Sequence, residues 1–78
     1  LRGLAQSLAR EFQPQGIHVV HTILDGIIWS EKSRQRHNID QANCLLPDDI
    51  ARAYCQLIEQ KTSAWTHELD LRPFSERF

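Results

Sequence analysis

The chain has 78 residues, 41% hydrophobic and 24% charged, with a net charge of −1. That is the length of one small domain at most. The sequence has no basic face for nucleic acid, no polybasic membrane segment and no apolar run near the roughly 20 residues that span a bilayer. The two cysteines, Cys44 and Cys55, lack a Cys-x-x-Cys spacing. With no signal-peptide pattern at the start, they read as reduced thiols of a cytoplasmic protein. There is no methionine, position 1 included, and no Ser, Thr, Asp or Asn precedes Leu1 as a helix cap. The expectation is a chain that begins inside a fold.

The first element is a helix. Leu1, Leu4, Ala5, Leu8, Ala9 and Phe12 make one apolar stripe at helical period, and Arg2, Gln6, Arg10, Glu11 and Gln13 take the other face. Pro14 and Gly16 stop it.

A strand over 17–24 follows. Its β-branched run, Ile17 to Leu24, reads as a buried, parallel strand. His18 and His21, three residues apart, point to opposite faces and read as ordinary strand histidines, not as a joint metal site. Asp25-Gly26 turns the chain, and in open α/β sheets ligands bind outside the carboxyl ends of the strands. Asp25 to Ser30 is therefore the candidate ligand crevice.

Residues 29–44 are polar and charged. A weak helix and a loop both fit. The charges read as a solvated face, and Trp29 either covers a ligand or packs on a neighbouring helix. Leu46-Pro47-Asp48-Asp49 opens the next helix, with proline at its first position and acids in its first turn. Ile50, Ala51, Tyr54, Leu57 and Ile58 form its expected buried stripe. Tyr54 has no Lys four residues on and reads as core. Trp65 to Leu71 alternates as a half-exposed strand, with Trp65, His67, Leu69 and Leu71 on one face and Thr66, Glu68 and Asp70 on the other. Phe74 and Phe78 form an apolar tail. The order helix, strand, helix, strand predicts parallel pairing of the two strands.

These residues resemble one family. Leu1-Arg2-Gly3-Leu4-Ala5-Gln6-Ser7-Leu8-Ala9-Arg10-Glu11, then Gly16-Ile17-His18-Val19, is similar to the short-chain dehydrogenase/reductases just after their catalytic Tyr-x-x-x-Lys. The next strand of that family ends in Pro-Gly-x-Val/Ile-x-Thr, and here the stretch reads Asp25-Gly26-Ile27-Ile28-Trp29-Ser30. Gly26 and Ile28 match, Ser30 replaces Thr, and Asp25 departs from Pro. Leu46-Pro47-Asp48-Asp49-Ile50-Ala51 resembles a later helix start of the family. The resemblance covers nearly all of this chain but only the last third or so of a typical member.

The resemblance implies an α/β fold, the C-terminal helix-strand-helix-strand portion of a Rossmann-like doubly wound parallel sheet, with residues 1–78 as one partial domain. It implies hydride transfer between NAD or NADP and a small alcohol or carbonyl substrate. Asp25, Gly26, Ile28 and Ser30 would lie along the nicotinamide side of the cofactor. Backbone groups of Ile28 would bond the carboxamide and the Ser30 hydroxyl nearby atoms, and Gly26 would let the backbone come close. Asp25 would bring a negative charge near the cofactor. The Gly-rich turn and the catalytic Ser, Tyr and Lys of the family have no counterpart here, so these residues alone are not expected to catalyse. A homo-oligomer, most simply a dimer, is expected from the open faces of the first helix and last strand. The competing reading is a non-catalytic self-association module built from the same pieces.

Overall fold

The computed structural model describes residues 1–37 and 40–75. Helix α1 (Arg2–Phe12) runs into a short 3₁₀ turn, Gln13–Gln15. Gly16 closes it in the left-handed region, φ +88°, with its N–H donating to Gln13 O at 2.9 Å. That conformation has no steric cost for a residue without Cβ. Strand β1 (His21–Leu24) follows, then α2 (Glu31–His37), a 3₁₀ turn at Gln41–Asn43, α3 (Pro47–Ile58) and β2 (Glu68–Leu71).

The two strands pair in parallel, with His21 opposite Glu68 and Leu24 opposite Leu71. A parallel pair needs a long crossover, and α2 and α3 supply it. The fold is thus α/β at the level of one strand–helix–strand unit preceded by a helix. Only residues 21–24 of the expected strand over 17–24 belong to the ladder. Ahead of it, His18 Nε2 bonds Thr66 O at 2.8 Å and its ring stacks on Trp65, centroids 4.6 Å apart. That side-chain contact holds the extended segment beside its neighbour where no ladder does.

The segment leading into β1 and the strand itself meet α1 at one hollow and α3 at another. Val19 and His21 line a hollow with Leu1, Leu4 and Leu8 of α1. His18 lines another with Tyr54, Leu57 and Ile58 of α3, and Val20 and Thr22 border both hollows. The two histidines therefore do face opposite ways. An ionic contact ties α1 to the sheet: Arg2 reaches Glu68 Oε1 at 2.6 Å, and His21 Nδ1 lies 3.5 Å from the same oxygen.

The core is small. Ala9, Cys44, Leu45, Leu57 and Pro73 are the buried positions among the described residues. The α1 stripe is only partly covered: Ala9 is buried, but Leu1 and Leu4 are 89% and 59% exposed. The α3 stripe also differs from expectation. Leu57 is buried, while Ala51 is exposed, Ile58 is 79% exposed and Tyr54 sits at the rim, its hydroxyl 2.9 Å from Thr22 Oγ1. The physical reason is that two four-residue strands are too narrow to cover two amphipathic helices. The accessible surface is 6096 Å², against about 4,900 Å² for a folded monomer of this length. Both cysteines are free thiols. Among the described residues no helix is long and apolar enough to cross a membrane. Phe78 of the expected apolar tail lies outside the described residues, and Phe74 is 90% exposed.

Candidate functional site

The candidate loop leaves β1 at its carboxyl end, and its course is set by backbone bonds on both sides. Asp25 N–H donates to Leu71 O at 2.9 Å, extending the ladder one residue beyond the strands. Proline has no proton for that bond, so Asp25 gains a contact that the resembled motif lacks. Gly26 then takes φ +156°. A Cβ at Gly26 would lie 2.7 Å from Pro73 Cδ and 3.2 Å from Pro73 Cγ. The glycine is thus required by a neighbouring ring of its own chain, whatever else approaches the loop.

Ile28 pairs in parallel with Leu45. Leu45 N–H donates to Ile27 O and Trp29 N–H to Leu45 O, each at 2.8 Å. In a parallel pairing of this kind the flanking residues make the bonds, so the N–H and C=O of Ile28 point the other way. The Ile28 carbonyl accepts the Ser33 hydroxyl at 2.8 Å. Its N–H makes no hydrogen bond among the described residues, and the residue is 42% exposed.

Ser30 caps α2. Its Oγ accepts Ser33 N–H at 3.1 Å, while Ser30 N–H donates to Ser33 Oγ at 2.9 Å. This is the reciprocal arrangement of a capping box, with serine in place of the usual Glu or Gln. It resolves the ambiguity over 29–44 in favour of a helix at Glu31–His37. The Ser30 hydroxyl is engaged on both sides: its oxygen accepts Ser33 N–H and its O–H donates to Ser33 Oγ at 3.3 Å.

Charge in the loop is paired. Asp25 Oδ2 lies 3.0 Å from Arg72 Nε, and Arg72 also reaches Asp70 at 3.3 Å. The Asp25 carboxylate therefore stands next to a guanidinium of the same chain, which offsets the negative charge expected beside a ligand. Glu31 and Arg34 form a second ion pair at the start of α2. Hydrogen bonding and attraction from Arg34 hold the Glu31 carboxyl below its ordinary range, and Glu31 likewise raises Arg34. Ser30, Lys32, Ser33 and Arg36 border a shallow hollow of about 210 Å³. Among the described residues no three His, Cys, Asp or Glu side chains are grouped to hold a metal.

The four candidate residues thus lie in sequence along one loop but have different neighbours. Asp25 and Gly26 rest against the exit of β2, at Arg72 and Pro73. Ile28 and Ser30 rest against Leu45 and Ser33. Sequence reasoning missed all four of these supports. Ser33 was within reach, since a serine three residues after Ser30 is a capping signal. Arg72 and Pro73 carried no local signal, because their contact with Asp25 and Gly26 spans 47 residues of chain. Comparison with family models, with curated proteins and with solved structures gives no match.

Proposed function

We propose that this chain is the C-terminal segment of a cytoplasmic short-chain oxidoreductase that uses NAD or NADP, supplying the nicotinamide-side loop, part of the substrate side and an oligomer contact. The observation that carries the reading is the Asp25–Ser30 loop at the carboxyl end of a parallel strand, with the Ile28 N–H making no hydrogen bond among the described residues and Ile28 itself 42% exposed. Open α/β sheets receive ligands at that end, and a dinucleotide carboxamide needs a donor and an acceptor side by side. Ile28 offers its N–H as donor and the second lone pair of its carbonyl as acceptor. The Ser30 hydroxyl, which donates to Ser33 Oγ at 3.3 Å, would turn outward to reach the cofactor. The cofactor, when bound, would supply the hydride chemistry, and these residues would orient it. The segment from Trp29 to Cys44 would lie toward an alcohol or carbonyl substrate. Calorimetric titration of the full-length protein with NAD(H) and NADP(H) tests the reading. Ser30→Ala should weaken the bound form by about 0.5–1.5 kcal/mol, and a protein that binds neither dinucleotide would overturn it.

A second reading, a self-association module without catalysis, is favoured by the surface. The chain exposes about 1,200 Å² more than a folded monomer of its length, and a standard interface removes about 800 Å² per partner. The exposed Leu1 and Leu4 of α1 and Ile58 of α3 contribute to that surplus. A dimer fits both readings, so oligomeric state alone does not separate them. Dinucleotide binding by the full-length protein does.

A further inference from the structure

We infer that Arg72 and Pro73, on the exit of β2, are positioning residues for the start of the candidate loop, so that the second strand sets the course of the chain from Asp25 through Gly26 into the peptide that Leu45 holds. The inference rests on the reading under Proposed function for its consequence, but its geometry stands apart from it. Three successive residues hold the start of the loop. Leu71 O accepts Asp25 N–H at 2.9 Å. Arg72 Nε stands 3.0 Å from Asp25 Oδ2. Pro73, buried, fills the space that a Gly26 side chain would take.

Each contact fixes a different freedom. The backbone bond sets the height of Asp25 along the sheet. The ion pair draws the Asp25 side chain toward the exit of β2. The proline ring is a wall behind Gly26, which has no side chain of its own to restrict its dihedrals. Arg72 is itself steadied by Asp70 at 3.3 Å, and its side chain is only 29% exposed. Farther on, Leu45 holds Ile27 and Trp29 by two backbone bonds. Between these anchors lie Gly26 and the Ile27 N–H, and the Ile28 N–H belongs to the planar peptide whose carbonyl Leu45 holds. A glycine released from its wall samples a wide range of dihedrals, and the direction of the next amides changes with it. Misplacing a donor by a fraction of an ångström or 10–20° is enough to weaken an oriented contact.

Hydrogen exchange at the amides of Gly26 to Trp29, in the full-length protein without cofactor, tests the positioning directly. Arg72→Met should speed exchange there several-fold, leave α1 amides unchanged, and weaken dinucleotide binding about two- to fivefold. Arg72→Lys, which keeps the positive charge beside both Asp25 and Asp70, should recover most of both. Recovery by Arg72→Lys but not by Arg72→Met is what a merely space-filling role for Arg72 would not give. If Arg72→Met does not fold, Asp25→Asn removes the same charge pair with a near-isosteric side chain and gives the same readouts. Unchanged exchange in both variants overturns the inference, even if the wild type binds the dinucleotide. Faster exchange in a protein that binds no dinucleotide upholds the positioning and overturns the cofactor reading instead.

Discussion

Replacing Gly26 by alanine separates two explanations of why glycine stands there. In the first, the residue is small so that a cofactor can come close. In the second, its own chain requires it. The structure gives the second explanation two parts. At φ +156° an L side chain is strained, at a cost of about 1–3 kcal/mol. Its Cβ would also sit 2.7 Å from Pro73 Cδ, where carbon atoms prefer about 3.5–4.0 Å. Relieving that overlap shifts a buried ring, which costs about another 1–3 kcal/mol. The sum, about 2–6 kcal/mol, is a large share of the roughly 4–12 kcal/mol that a domain of this length commands. Urea unfolding followed by circular dichroism measures it. Repeating Gly26→Ala in a Pro73→Ala background removes the Cγ and Cδ atoms, so only the dihedral strain should remain, and the cost should fall by about half. The difference between backgrounds is the coupling energy of the pair. A Gly26→Ala protein within about 0.5 kcal/mol of wild type, or the same cost in both backgrounds, refutes the reasoning.

Ser33→Ala removes the partner that closes the cap of α2 and should lower stability by about 1 kcal/mol, with the loss visible as faster amide exchange over 31–37. Leu8→Glu places a charge in the apolar hollow between α1 and β1 and should convert a dimer to monomer in sedimentation at micromolar concentration; an unchanged dimer would move the interface elsewhere. The 78-residue chain on its own should give no measurable heat with NAD(H) or NADP(H), because no Gly-rich turn receives the pyrophosphate; micromolar binding would contradict this. Since Arg34 lowers the Glu31 carboxyl, the pair's support of α2 is complete above the ordinary carboxylate range. It is lost as pH falls through the lowered value. The chemical shifts of residues 31–37 should follow that titration in the wild type, and Glu31→Gln should abolish it.

The sequence determined by itself what local chemistry decides. The α1 stripe, the Pro14 and Gly16 stop and the Pro47-Asp48-Asp49 start are each written within a few neighbouring residues, and α1 and α3 lie where these signals place them. The opposite facing of His18 and His21 follows from strand period alone. Parallel pairing followed from the order of elements, because a strand–helix–strand unit has little other choice. The turn at Asp25-Gly26 was also legible, and so was its position at the carboxyl end of a strand.

Only the tertiary structure decided what those residues touch. The ladder of β1 begins at His21 and not Ile17 because a strand is defined by its partner, and β2 offers only Glu68 to Leu71. Ile58 is exposed because covering a helical stripe depends on the width of the sheet beneath it, which periodicity does not report. Asp25 is paired, and Gly26 is obligatory, because Arg72 and Pro73 come back to them across the whole strand–helix–strand crossover. A motif read along the chain shows which residue types gather at a turn. Contacts that close over such a distance leave no periodic or local trace, and they exist only once β1 and β2 lie side by side.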